Sequence, residues 1–205
     1  GSEMCIRDSH TMVQEDINKV LLEEAEKGNK VVRLKGGDPF LFGRGGEELE
    51  LLSENGIPYE IVPGVTSPIS VPAYNGIPVT HRDFCSSLHI ITGHKRAGQE
   101  YDIDFKALTR TKGTLVFLMG IAALEDICKG LLAGGMDPNV PAAVLQKGTT
   151  AGQKRVVATV GTLKEEVDRQ GIETPAIIVV GKVCSLADKF AWYEKLPLAG
   201  WKVLV

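Results

Sequence analysis

Apolar residues along the chain alternate between helical and strand spacing. Val13, Ile17, Val20, Leu21 and Ala25 recur every three or four residues, which predicts a helix. Thr11-x-x-Gln14 has the form of a capping box at its start, and Gly28 supplies a stop. Residues 31–34 read as a short strand. Residues 47–55 read as a helix halted by Gly56, and residues 59–62 as a strand running into Pro63-Gly64. Residues 66–82 are rich in Pro, Gly and Ser and read as a connector.

A second set of elements follows. Residues 88–92, 114–119, 142–145, 155–160 and 176–180 carry strand patterns. Residues 121–132 carry a helical stripe of Ile121, Leu124, Ile127, Cys128, Leu131 and Leu132, and 163–170 and 186–196 also read as helices. Strands alternating with helices predict an α/β fold with mainly parallel sheets, with a domain boundary near residues 82–86. No internal repeat is visible.

Composition fits this picture. The 205 residues allow one large or two small domains, and 43% apolar content supports a sizeable core. A net charge of −3 gives no basic excess pointing to nucleic acid. No apolar run reaches the ~18 residues of a membrane span. Cys5, Cys85, Cys128 and Cys184 are scattered without a CxxC pair, which points to reduced thiols in a cytoplasmic protein. His81, His89 and His94 lack metal-ligand spacing, and Ser86-Ser87 lacks a partner base, so no metal and no nucleophile is assigned.

The ends have a different character. Residues 1–9 show no periodicity and resemble a tag or sequencing scar, while KLPLAGWKVLV (residues 195–205) reads as a Pro/Gly hinge entering the first strand of another domain. The expectation is a fragment cut at both ends.

The candidate chemistry lies in residues 36–46, with five glycines in eleven positions following a strand. Such a turn lets a ligand approach the backbone, and strand carboxyl ends are where open α/β sheets bind ligands. Neither GxxxxGK[ST] nor GxGxxG is present, which argues against a phosphate loop or a dinucleotide. Asp38 suits a cationic or hydroxylated ligand, and Arg44, flanked by glycines, suits carboxylates. On spacing alone, a glycine-rich surface turn with solvated charges explains the pattern equally well.

VVRLKGGDPFLFGRGGEE, VPGVTS, GIPVTHRD, FLMG and QKGTTAGQKRV follow one another in this order. Together they resemble the uroporphyrinogen-III C-methyltransferases of the tetrapyrrole methylase superfamily, over residues 10–188. The resemblance implies a two-domain α/β fold, residues 10–83 and 84–189, with S-adenosylmethionine held in the cleft between them. The cofactor contacts it implies are Gly36, Gly37, Asp38, Leu41, Thr66, Ser67, Met119 and Gly148. Arg44, Glu47 and Arg82 would face uroporphyrinogen III, which carries eight carboxylates, and Arg44 would also act in catalysis. Taken as residues alone, Met119 fits core packing, Glu47 fits charge pairing at a helix amino end, and Arg82 fits a boundary salt bridge.

The implied reaction is methylation of uroporphyrinogen III to precorrin-2, which feeds sirohaem and cobalamin synthesis, in a cytoplasmic homodimer without nucleic-acid or membrane partners. Family members open with a GxGPGDP-type strand and loop that is missing here, together with an acidic and a lysine candidate. An incomplete first domain with impaired turnover is therefore expected. Residues 190–205 resemble a linker and the start of a fused uroporphyrinogen-III synthase. The competing readings are a non-catalytic α/β dimerising fragment that binds cofactor weakly, and a precorrin-4-type methyltransferase.

Overall fold

The computed structural model describes residues 12–93 and 103–201. The readings on Cys5, Thr11, His94 and the two chain ends lie outside the described residues. The chain divides into two compact units, Gly1–Thr66 and Ser67–Val205. That division falls before the boundary expected near residues 82–86. The reason is local: residues 67–77, read as part of a connector, pack Val71 and Ile77 into the second unit's core.

Among the described residues the first unit contains two helices, α1 (Gln14–Glu26) and α2 (Gly45–Glu54). Helix α1 begins after Val13, which makes no side-chain cap. Gln14 instead donates to Asn18 on its own helix and to Glu48 on α2. Gly28 and Gly56, at φ +79° and +67°, end the two helices as the sequence predicts. The strands expected at 31–34 and 59–62 do not form. A strand persists only where its N–H and C=O groups find a ladder partner, and among the described residues neither segment has one. Val32, Leu34 and Val62 are consequently exposed.

Among the described residues the second unit is built on five strands: β1 (Leu88–Thr92), β2 (Thr114–Leu118), β3 (Pro141–Gln146), β4 (Lys154–Thr159) and β5 (Ala176–Val180). Their order is β1-β2-β5-β3-β4. Only β1 and β2 pair in parallel; β5 runs antiparallel to both β2 and β3, and β4 antiparallel to β3. The sheet is thus mostly antiparallel, correcting the mainly parallel expectation. Strands β3 and β4 join through a short turn rather than a helical crossover, and that turn forces the reversal.

Successive strand residues point to opposite faces, and both faces are covered. Leu115, Phe117, Val144 and Ile178 meet α5 (Leu124–Ala133) and α6 (Leu163–Arg169). Val116, Leu118, Leu145 and Val179 meet Val71, Ile77, Val183 and Cys184 on the other side. Double coverage explains why TLVFL in β2 is buried throughout and reads as an unbroken apolar run. Leu124, Ile127, Cys128 and Leu131 form the buried stripe of α5, preceded by a tight turn at Ile121–Ala123.

Two helices escape the sequence reading: α3 (Ser67–Tyr74), which tolerates Pro68 in its first turn, and α4 (Phe105–Thr111), capped by Asp104 accepting from the Ala107 N–H at 2.8 Å. The helix expected at 186–196 is replaced by short turns at Lys182–Leu186 and Tyr193–Lys195. Trp192 and Tyr193 leave the helical path to pack on Tyr74, each with ring centroids 5.1 Å apart, and Trp192 Nε1 donates to the Ala73 carbonyl.

Candidate functional site

In the first unit the glycine-rich loop is held from both ends by charged side chains. Asp38 Oδ1 accepts the N–H groups of Phe40 (2.9 Å) and Leu41 (3.2 Å), while Oδ2 accepts that of Gly64 (3.2 Å). Donation from Phe40, then Gly64, holds the Asp38 carboxyl below the usual carboxylate range. The staple demands close backbone approach: a Cβ on Gly64 would lie 2.5 Å from the Gly37 carbonyl oxygen. Gly37 in turn packs on Val65 and Thr66, its Cβ position 3.8 Å from Thr66 Oγ1. Gly37, Asp38 and Thr66 are therefore brought together, with Leu41 half-buried beside them and Gly36 exposed.

The other half of the loop winds around one carbonyl. Gly45 N–H donates to Pro39 O at 3.0 Å, and a Cβ on either Gly43 or Gly45 would lie 2.6 Å from that oxygen. Phe42 and Arg44 take the left-handed conformation on either side of Gly43, at φ 55° and 56°. Arg44 thereby enters α2 with its guanidinium outward, 56% exposed. It grips Glu47 with two bonds, Nε to Oε1 at 2.9 Å and Nη2 to Oε2 at 2.5 Å. This pairing raises the Arg44 pKa further.

Beneath the loop lies Glu48, which sequence reasoning missed. Gly45 and Glu48 are the buried positions among the described residues of this unit, so its best-covered side chain is a carboxylate. Glu48 accepts from Lys35 Nζ (2.9 Å), Gln14 Nε2 (3.1 Å) and Arg33 Nε (3.2 Å). Burial pushes its carboxyl upward, but the bonds from Lys35, Gln14 and Arg33 outweigh this and leave it below the usual value. Lys35 Nζ also donates to the Gly43 carbonyl. The available signal was the spacing from Lys35 to the second glutamate of GRGGEE, which carries meaning only once α2 is known to turn Glu48 inward.

In the second unit, β1, β2 and β3 run in one direction, so their carboxyl ends share an edge of the sheet. Met119 follows β2 there at φ 55° and is 57% exposed. Its alternative reading as core is thereby excluded. Gly148 follows β3, flanked by left-handed Lys147 (φ 47°) and Thr149 (φ 67°). A Cβ on Gly148 would overlap the Val71 side chain of α3, the helix that Ser67 begins. Gln153 secures this turn, accepting from the Thr149 N–H at 2.9 Å and donating to the Tyr74 carbonyl at 3.2 Å. Arg155 adds bonds to Asn75 O, Glu194 and Asp188. Gly148 thus packs on α3, which Ser67 begins, while Met119 shares with Gly148 the carboxyl edge of the sheet.

Arg82 does not join them. It sits exposed in a turn closed by the His81–Cys85 bridge, without an ion-pair partner among the described residues. Cys85 contacts Thr114 Oγ1 at 3.1 Å. That fixes the foot of the turn at the amino end of β2, five residues or about 16 Å from Met119.

Each unit, taken by itself, holds residues whose chemistry fits part of a sulfonium cofactor. In the first unit the exposed backbone at Gly36 stands beside the stapled Asp38; in the second, Met119 exposes an apolar side chain on left-handed backbone. Comparison with known proteins points the same way. The family model for tetrapyrrole (corrin/porphyrin) methylases matches residues 3–164. A porphyrin biosynthesis protein HemD of Ruminiclostridium josui is 57% identical over 196 residues, covering 96% of this chain and 39% of the relative. The uroporphyrinogen-III C-methyltransferase of Bacillus subtilis is 51% identical over 187 residues, covering 91% of this chain and 73% of the relative. A crystal structure of uroporphyrin-III C-methyl transferase from Thermus thermophilus, complexed with S-adenyl homocysteine, superposes with TM-score 0.72 at 37% identity, covering 84% of this chain and 74% of that one. The chain spans about two fifths of the length of the first of these relatives.

Proposed function

Because this chain belongs to the tetrapyrrole (corrin/porphyrin) methylase family, we propose that it carries the site for S-adenosylmethionine-dependent C-methylation of uroporphyrinogen III to precorrin-2, in sirohaem and cobalamin synthesis. The observation that carries this reading is the loop of residues 36–46. It combines exposed glycine backbone at Gly36, beside the loop that Asp38 staples, with a guanidinium projected from left-handed backbone at Arg44.

The cofactor supplies a methyl group on a positively charged sulfur. Around it the chain's residues bind and orient. The backbone at Gly36 and Gly37 and the remaining acceptor capacity of Asp38 face the amino-acid part. Leu41 and Met119 cover apolar surface, and Thr66, Ser67 and Gly148 offer hydroxyl and backbone groups. Arg44 and Glu47 meet the macrocycle: the guanidinium has the fork geometry for a propionate or acetate carboxylate. Placing the pyrrole carbon in line with the methyl group is the chief catalytic demand. Arg82 belongs to this set by motif, and its exposed guanidinium is available to a carboxylate. The working state is taken to be a cytoplasmic homodimer.

Two measurements test this reading. Calorimetric titration with S-adenosylhomocysteine is expected to show binding, and methyl transfer to enzymatically made uroporphyrinogen III is expected to yield precorrin-2. A heat-silent titration together with no transfer overturns it and leaves the dimerising α/β fragment as the better account.

A further inference from the structure

The first unit is organised around a charge rather than around apolar packing. Glu48 is 4% exposed and gathers Lys35, Arg33 and Gln14 from two separate stretches of chain. Breaking even against desolvation is the usual fate of a buried ion pair, so stability alone is a weak reason for one. Lys35 does something further: its ammonium donates to the Gly43 carbonyl, between the two left-handed residues Phe42 and Arg44. Left-handed backbone at a side-chain-bearing residue persists only where its surroundings enforce it. Here the enforcement comes from below, through Lys35, and from within, through Gly45 N–H on Pro39 O.

The opposite half of the loop has its own fastening. Asp38 binds Phe40, Leu41 and Gly64, and none of its bonds involves Lys35 or Glu48. The loop therefore has two independent clamps. One shapes the glycine and aspartate stretch; the other shapes the stretch that presents Arg44.

We propose that Lys35, held in place by Glu48, is a positioning residue for Arg44, fixing the left-handed turn that aims its guanidinium at an anionic substrate while leaving the Asp38 half of the loop unaffected. The role given to Arg44 rests on the function proposed above; the clamp itself does not. Lys35 touches no reacting group in this scheme. Its effect is confined to the substrate side, whereas a merely structural lysine would disturb both halves together.

The experiment uses the chain as it exists, with Lys35→Met, Lys35→Arg and Glu48→Gln. Amide hydrogen exchange reads the clamps directly. In Lys35→Met, protection of the Gly45 N–H is expected to fall at least about tenfold, with Phe40, Leu41 and the Val179 sheet amide within about threefold of wild type. Turnover with uroporphyrinogen III is expected to fall about 100-fold, the cost of a misplacement near 1 Å. S-adenosylhomocysteine affinity is expected to stay within about threefold. Lys35→Arg, which keeps a cation within reach of both acceptors, should recover most of the turnover. If Lys35→Met loses Val179 protection as well, Glu48→Gln, which keeps the side-chain volume, should show the same order of effects with smaller losses. Unchanged Gly45 protection, parallel loss at Gly45 and Leu41, or cofactor affinity falling in step with turnover overturns the proposal. Should the wild-type chain transfer no methyl group, the functional reading fails, while the exchange data still decide whether the Lys35 clamp exists.

Discussion

Arg44 and Glu47 are locked together one turn into α2, Nε to Oε1 at 2.9 Å and Nη2 to Oε2 at 2.5 Å, with both side chains more than half exposed. An exposed pair of this kind contributes only about 0–1 kcal/mol to stability. It is poorly explained as a fold-stabilising contact and well explained as a guanidinium kept oriented until a substrate carboxylate displaces its partner. Arg44→Ala is therefore expected to leave the melting profile almost unchanged and S-adenosylhomocysteine affinity within about threefold, while turnover drops by about 100-fold or more. Equal losses of cofactor affinity and turnover would place Arg44 on the cofactor instead.

Acid should act on the first unit through Glu48. Its folded-state pKa is depressed, so its ionised form stabilises the fold above the ordinary glutamate value of about 4.3, and that contribution is lost as pH falls through the folded value below it. Helical ellipticity and Gly45 amide protection are expected to decline below about pH 4, ahead of the second unit's sheet amides. Replacing Glu48 by alanine removes the counter-charge of the mostly covered Lys35, while Arg33, 40% exposed, stays in water, at a cost of about 1–3 kcal/mol. Its acid limb should be correspondingly flatter, which a stability–pH series will show.

Neighbouring glycines in the loop should respond in opposite directions. A Cβ on Gly45 meets the Pro39 carbonyl oxygen at 2.6 Å, whereas one on Gly46 meets nothing within 4 Å. Gly45→Ala forces backbone apart and is expected to destabilise by about 1–3 kcal/mol. Gly46→Ala, in the first turn of α2, is expected to be neutral or to stabilise by up to about 1 kcal/mol. Denaturant titrations of the two variants, followed by helical ellipticity, provide the comparison.

The described cysteines offer a check on the second unit's core. Burial pushes the Cys128 thiol up to about 11 and raises that of Cys184 still further. Because the thiolate is the reactive form, both should resist an aromatic disulfide reagent at neutral pH and react only on denaturation. Cys85 is half-buried and should label faster than either, as peptide mapping of the labelled protein will reveal.

Legibility followed how local the determining physics was. Strand β2 and helix α5 were readable because burial on two faces, or along one stripe, is written directly into TLVFL and into Leu124, Ile127, Cys128 and Leu131. The direction of β5 was not, since antiparallel pairing with β2 and β3 depends on chain connections rather than on side chains. Residues 31–34 have strand chemistry but no ladder, because pairing needs a partner that composition does not reveal. The loop of residues 36–46 could be located from its glycines, and Asp38 and Arg44 stood out within it. Lys35 and Glu48 did not: a lysine and a glutamate thirteen positions apart are ordinary surface residues until a turn around Pro39 brings them to 2.9 Å.

Met119 allows strain to be separated from stability. It follows the fully buried strand β2, yet its side chain is 57% exposed and its backbone lies at φ 55°, where a side-chain-bearing residue costs about 1–3 kcal/mol. A position selected for folding alone would favour glycine at that φ. An exposed thioether on strained backbone at the carboxyl edge of β1–β3 instead fits a surface held ready for an apolar ligand face. Met119→Gly is therefore expected to keep or raise the melting temperature, because relief of strain outweighs the loss of an exposed side chain. The same variant should bind S-adenosylhomocysteine several-fold more weakly. Met119→Leu, which restores apolar bulk without relieving the backbone, should recover most of the affinity and none of the stability gain. Affinity unchanged in Met119→Gly would remove this residue from the cofactor's surroundings, and a clear loss of stability there would show that Met119 serves the fold after all.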